Sequence, residues 1–531
     1  MHACLCVDEI VRLIACELVE SRAMATALAL ACCCKNFEDS MLDALWGTQD
    51  QLLPLLKSLP EDVWNERECT VSTPTTGILS SLNFLIRKSF KRLPTAQEWA
   101  RFRKYARRMR RLVERGALDV LSLEGFSALQ LRTINEPLFP NLKTLALSYV
   151  AREFIPFIPL FLSPRTTTIA ILSFESGFLT ATIASTITAF PILCPNLRNI
   201  TLHYLPRDPT ITAAVSGILL TNHQNLLRHF WVDSPLTEEA REVVSKLPNL
   251  QHLSVVVERG TSLPPVVLPN LTEVSIKYDH DCDWLQMFHL AALGKLETVT
   301  FRSGSEQIGD PLETFEMAAL AASVQNTLSK FYHYASRSWN PNYSSLLQFA
   351  QLTILLVEFP CGNVCTSNVD DDIITNLARA MPRLETLQLG DVPCREILTS
   401  ITVKGLAALA HRCPGLYTLR IHFQVTSLST PPTSTSYTRS TVPQRDCALE
   451  NLEVGDISIP EESVPMVALT LVQIFPHIDY IEGTDGNWDE VMDAICLSRQ
   501  IDNCSGKERP LPTPRGGISD APSGATLEDG S

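Results

Sequence analysis

"PNLKTLAL" (140–147), "PNLRNITL" (195–202), "PNLQHLSV" (248–255), "PNLTEVSI" (269–276), "PRLETLQL" (382–389) and "PGLYTLRI" (414–421) are six copies of one pattern. Each opens on Pro, places Leu two residues later, and then alternates apolar with polar residues. A strand that buries one face reads this way. Weaker copies fill the intervals. The first apolar positions then run Leu118, Leu142, Thr166, Leu197, Leu227, Leu250, Leu271, Leu296, Leu328, Leu352, Leu384, Leu416, Leu449 and Ile478. The mean step is about 28 residues, inside the range of leucine-rich repeats.

That spacing has a physical reading. Two neighbouring parallel strands need a return segment of a dozen or more residues between them, and the interval supplies it. Several returns have helical periodicity. "DDDIITNLARAM" (370–381) carries Ile373, Ile374, Leu377 and Ala378 on one side, and "TVKGLAALAHRC" (402–413) carries Leu406, Leu409 and Ala410. Asp370 to Asp372 stand where carboxylates favour a helix N-terminus. The fold class expected is therefore α/β, with strands and helices alternating along an elongated stack.

The chain here resembles leucine-rich-repeat proteins of the cysteine-containing type, in which a helix ends in Cys-Pro-x-Leu before the strand, as in "RCPGLYTLRI" (412–421) and "LCPNLRNITL" (193–202). The resemblance implies an irregular solenoid with parallel strands on a concave face and helices on a convex one. The Asn or Cys usual three positions after the last strand leucine is replaced, for example by Val150 and Leu205, so irregular turns are expected. Side chains flanking the apolar strand positions then line the concave face: His203, His229, Trp231, Lys277, Arg302, Tyr332, Tyr334, Glu358, Arg420 and His422. Aromatic and Arg side chains anchor protein interfaces. His229, Trp231, Lys277, Arg302, Tyr332, Tyr334, Arg420 and His422 are accordingly the candidate contacts to a protein target, with Trp231 and the two tyrosines as leading anchors.

Ahead of the repeats, "VDEIVRLIACEL" (7–18), "AMATALALACCC" (23–34) and "FEDSMLDALW" (37–46) are three short apolar helices by periodicity. Some forty residues cannot bury all of that surface on themselves, so part of it should meet a partner. The stretch resembles a fungal-type F-box. Matching positions are Glu9, Ile10, Val11, Leu13, Ile14 and Leu18, then Leu30, Cys34, Lys35 and Phe37, then Leu42, Asp43, Leu45 and Trp46; Asp8 stands for the usual Pro and Lys35 for the usual Arg. The resemblance implies docking on a Skp-type adaptor of an SCF (Skp, cullin, F-box) ubiquitin ligase through Glu9, Ile10, Leu13, Ile14, Leu18, Leu30, Phe37, Leu42, Leu45 and Trp46. The function expected is substrate recognition for that ligase. The alternative is a repeat scaffold whose F-box no longer binds the adaptor.

Between the two lies "RKSFKRLPTAQEWARFRKYARRMRRLVER" (87–115), twelve Lys or Arg against Glu98 and Glu114. Trp99, Phe102, Tyr105 or Ala106, Met109 and Leu112 recur at helical steps, which predicts one amphipathic helix capping the array, with an acidic protein partner or a nucleic acid as the alternative readings of its basic side. The organisation expected is a helical module over 1–50, a helical linker and basic cap over 51–115, a solenoid over 116–500 with a Ser/Thr/Pro-rich insertion at 425–446, and a disordered tail over 501–531.

Other classes are disfavoured. A net charge of −14 is wrong for a general nucleic-acid binder. No stretch is apolar for long enough to span a bilayer, and Asp8 and Glu9 spoil a secretory signal, so a cytoplasmic or nuclear protein with reduced core thiols is expected. No pair of cysteines, Cys4 with Cys6 and Cys361 with Cys365 included, has the Cys-x-x-Cys spacing of zinc ribbons, and His280 with Cys282 lacks a second pair nearby, so no metal or cofactor is expected. Nucleotide-loop, nucleophile-elbow and metalloprotease motifs are absent from the sequence, and "GTDGNWDE" (483–490) lacks the ligand spacing of a calcium loop, so no enzymatic activity is expected.

Overall fold

The computed structural model describes residues 7–71, 83–117, 120–133, 136–174, 180–221, 226–258, 268–278, 294–303, 324, 326–334, 343–358, 369–390, 400–425, 428, 447–455, 457–483 and 486–504. The chain divides into two compact units, Met1–Val256 and Val257–Ser531.

In the first unit three helices come first: α1 (Asp8–Glu20), α2 (Met24–Cys33) and α3 (Lys35–Gly47). Asp8 and Glu9 sit in the first turn of α1, and α2 is rich in alanine, the best helix former. Val11, Ala15, Ala27, Ala31 and Met41 form their shared core. Straight out of α3, β1 (Thr48–Gln49) pairs in parallel with β4 (Arg111–Ala117). The turn α4 (Leu53–Leu56), the antiparallel hairpin β2 (Trp64–Val71) and β3 (Asn83–Phe90), and α5 (Ala96–Ala106) lie between them.

This corrects the helical linker and single basic cap helix expected over 51–115. Residues 87–90 end a strand, α5 begins at a Thr95/Glu98 capping box, and Arg111 begins another strand. "MRRLVE" (109–114) is in fact a repeat copy: Met109 and Leu112 are buried like the leucines of later copies. Its third apolar position is Glu114, whose buried carboxylate accepts a hydrogen bond from the Leu52 amide at 2.9 Å. A charged residue at that position hides the copy from hydropathy. Leu118, expected as the first repeat position, lies outside the described residues.

After β4 come β5 (Thr144–Tyr149), β6 (Thr168–Ile171), β7 (Asn199–Leu202), β8 (His229–Pro235) and β9 (His252–Val257), each parallel to its predecessor. Leu112, Leu145, Ile169, Ile200, Phe230 and Leu253 fall at one register level and are buried. Helices at Leu123–Arg132, Thr180–Leu193, Pro209–Leu220 and Glu238–Val244 serve as returns. The return Arg152–Phe161 is 3-10 instead, consistent with Pro156 and Pro159 denying it α-helical hydrogen bonds.

The second unit repeats the rule with β10 (Glu273–Tyr278), β11 (Thr298–Ser303), β12 (Lys330–Tyr334), β13 (Ile354–Glu358), β14 (Thr386–Leu389), β15 (Thr418–Ile421), β16 (Asn451–Gly455) and β17 (Tyr480–Gly483), parallel in chain order. The first apolar positions from Leu142 through Ile478 lie two residues ahead of their strands and are buried, the polar Thr166 included. Thr166 fits because its hydroxyl donates to the Leu142 carbonyl and accepts from the Ser163 amide. The returns read as helices are helices: Asp371–Ala380 is capped by Asp370, and Val403–Arg412 by Thr402. Successive helices are also stitched together, because the Asp371 carboxylate accepts from the amides of Thr402 at 2.7 Å and Gly405 at 3.0 Å. A Cβ on Gly405 would lie 2.7 Å from that carboxylate, so the close approach requires glycine.

Each unit is thus α/β with parallel strands stacked in chain order. Most of the insertion expected at 425–446, namely 426–427 and 429–446, falls outside the described residues, as does 505–531 of the tail, while 501–504 belong to the helix Asn487–Cys504. Cys194, Cys413 and Cys447 are core thiols as expected, burial pushing them up to about 12, 12 and 11. Cys16, Cys32, Cys33 and Cys496 are not; they are exposed on their helices.

Candidate protein-interaction surfaces

Helices α1 to α3 divide the predicted adaptor contacts in two. Ile14, Leu18, Leu30, Phe37 and Leu45 pack against the module's own core, and Leu42 is half-buried. Trp46 stacks on Tyr105 of α5 at 4.8 Å. Glu9, Ile10 and Leu13 face solvent, Leu13 being 71 % exposed. Val7, Met24 and Leu28 are exposed as well, which the sequence reading missed. An alanine-rich helix that is apolar all round gives no period from which to pick its outer side.

The basic stretch fastens this module. Arg108 pairs with Asp39 and Asp43, and Lys104 with Glu38 at 3.0 Å. Arg92 bridges Asp62 and Glu98, each at 2.7 Å, and its guanidinium holds the Glu98 carboxyl down at about 2. Trp99, Phe102 and Ala106 bury the other side of α5.

On the open sheet face of the first unit, His229 and Trp231 are half-buried neighbours, their rings 6.0 Å apart. His229 Nε2 is 3.2 Å from Thr201 Oγ1, and its ring lies 5.1 Å from His252. His203 packs on Trp231 at 5.8 Å, with Nδ1 3.4 Å from the Asp233 carboxylate. Asp233 and His252 were not among the predicted contacts. Parallel register finds His252, because Asn199, His229 and His252 share one level, and it brings Asp233 beside His203, because these two follow the paired Val232 and Leu202.

On the open face of the second unit, Lys277, Arg302, Tyr334 and Glu358 form one register row. Ser275, Thr300, Tyr332, Leu356, Gln388, Arg420 and Glu453 form the next. Arg302 lies over the Tyr334 ring at 5.2 Å, and Arg420 reaches Glu453 at 3.0 Å. Burial pushes the Tyr332 phenol up to about 12, so both tyrosines stay neutral donors at physiological pH. His422 departs from expectation. It lies one residue past the end of β15 and is buried.

Among the described residues no group of His, Cys, Asp and Glu could hold a metal ion, and no helix is long and apolar enough to cross a membrane. Both faces present aromatic and charged side chains in shallow rows, which suits contact with another macromolecule. No protein-family model matches the chain, and no curated protein compared with it matches.

Proposed function

We propose that the chain is the substrate-recognition subunit of an SCF-type ubiquitin ligase. Helices α1 to α3 dock a Skp-type adaptor, and the sheet faces bind a protein target. The observation that carries the reading is a three-helix module with a complete small core that still leaves Ile10, Leu13, Met24 and Leu28 in water. Its sequence also follows the F-box pattern from Glu9 to Trp46. Leu13→Asp changes a side chain that is 71 % exposed and should leave the fold within about 0.5 kcal/mol of the wild type. In a pull-down with a Skp-type adaptor, the wild type is retained and Leu13→Asp is lost; a wild type that fails to bind sinks the reading.

The repeat scaffold with a degenerate F-box has one observation in its favour. Trp46, Asp39 and Asp43 are engaged by Tyr105 and Arg108 of the chain itself, as they would be in a module serving only to cap the stack. The same pull-down separates the two readings.

A further inference from the structure

The residue just ahead of each strand forms a column of its own. In the first unit Lys143 donates its amide to the Arg110 carbonyl at 2.7 Å, Thr167 to Lys143, Arg198 to Thr167, Arg228 to Arg198, and Gln251 to Arg228, each of these at 2.8 Å. Arg110, Lys143, Arg198 and Arg228 are all exposed. Neighbouring strands lie about 4.8 Å apart, so these four cations span roughly 20 Å along one rim. At the Arg110 end the column opens into a hollow of about 350 Å³ that also admits Arg107 and Arg165. Arg107 is neutralised by Glu136 and Arg110 approaches Asp43 at 4.0 Å, but Lys143, Arg198 and Arg228 meet no carboxylate among the described residues.

We infer that this rim is a binding site for an acidic, Asp/Glu-rich segment of another protein. Like charges at strand spacing repel one another, and an anion laid along them relieves that repulsion. Arg and Lys side chains on a rigid backbone ladder present donors at fixed intervals, suited to carboxylates on successive turns of a helix, about 5.4 Å apart, or on alternate residues of an extended chain. A nucleic acid fits less well. None of the column residues is aromatic, so bases have no stacking platform there. The site does not depend on whether α1 to α3 bind an adaptor.

The test uses the full chain and a labelled twelve-residue Asp/Glu-rich peptide, followed by fluorescence anisotropy. The wild type binds at low salt and loses roughly tenfold in affinity on raising ionic strength to a few hundred millimolar. The triple variant Lys143→Glu, Arg198→Glu, Arg228→Glu loses binding altogether, and Glu385→Gln in the second unit leaves it unchanged. Should reversal perturb folding, Lys143→Gln with Arg228→Gln lowers affinity without introducing repulsion. A folded wild type that ignores the peptide overturns the proposal. So does a single-stranded oligonucleotide of equal charge that binds as tightly. Sedimentation at low salt supplies the third arm: self-association that excludes the peptide would make a second copy of this chain the occupant instead.

Discussion

The position ahead of each strand is occupied in opposite ways in the two units. In the first it reads Arg110, Lys143, Thr167, Arg198, Arg228 and Gln251; in the second, linked by a backbone ladder of its own, it reads Thr272, Glu297, Ser329, Thr353, Glu385, Tyr417, Glu450 and Asp479. One column is cationic and the other acidic. One residue earlier, at the first apolar position, both units bury the same kind of side chain: Leu142, Leu197 and Leu250 in the first, Leu296, Leu384 and Leu449 in the second. The fold constrains the inward neighbour tightly and the outward one hardly at all. Charge on the rim is therefore free to differ between units without any change in how the strands stack, and a binding preference can be written there at little structural expense.

The sharpest way to break this comparison is to cross it within one copy. Leu384→Ala removes a fully buried side chain and should cost about 2–5 kcal/mol, since neighbouring strands cannot close the cavity. The adjacent rim substitution Glu385→Ala should stay within about 0.5 kcal/mol. Leu197→Ala and Arg198→Ala make the same pair in the first unit. Urea denaturation of the four variants measures both contrasts. Equal losses at inner and outer positions would mean that the rim is structural after all.

The next effect is smaller and acts between helices. Asp371→Ala leaves the amides of Thr402 and Gly405 without their carboxylate, in a part-buried junction, and should cost about 1–3 kcal/mol. Asp371→Asn keeps an acceptor and should recover part of that. If Asp371→Ala proves neutral by the same denaturation, the helices of this unit are held by the strands alone.

Much of this organisation is readable from the sequence, for a specific reason. The repeat is carried by buried leucines at fixed distance from a strand, and hydropathy reports burial directly. The copies from Leu142 to Ile478 and the helices Asp371–Ala380 and Val403–Arg412 are all visible this way. Where a polar group takes a buried place, the signal fails: Glu114 conceals the copy at 109–114 because its partner, the Leu52 amide, is 62 residues away. Arginine-rich periodicity also misleads, since Trp99, Phe102 and Ala106 are helical while Met109 and Leu112 merely continue the count into a strand. The rows on the sheet faces needed register as well as pattern. Trp231 is evident as an exposed-face aromatic, but Asp233 beside His203 emerges only when neighbouring strands are aligned.

His333 is a titratable polar residue inside the second unit's core, and it gives the finest test of how strictly the inner levels are governed. It stands in register between Phe301 and Val357, fully buried, with Nε2 3.0 Å from Tyr278 Oη. Burial disfavours its protonated form and lowers it from an ordinary 6.5 to about 3. The sign follows from linkage. In the unfolded chain the imidazole takes up a proton as pH falls through 6.5, whereas the folded chain resists until about 3. The stability associated with neutral His333 is complete above the upper value and is lost progressively between the two. His333→Leu removes that titration at the cost of one hydrogen bond, about 1 kcal/mol near neutrality. Its stability should therefore fall less steeply than that of the wild type from pH 6.5 towards 3, measured by urea melts at successive pH values. Parallel acid limbs would show that the imidazole is hydrated in the folded chain, and that this inner level is less strictly closed than its leucines suggest.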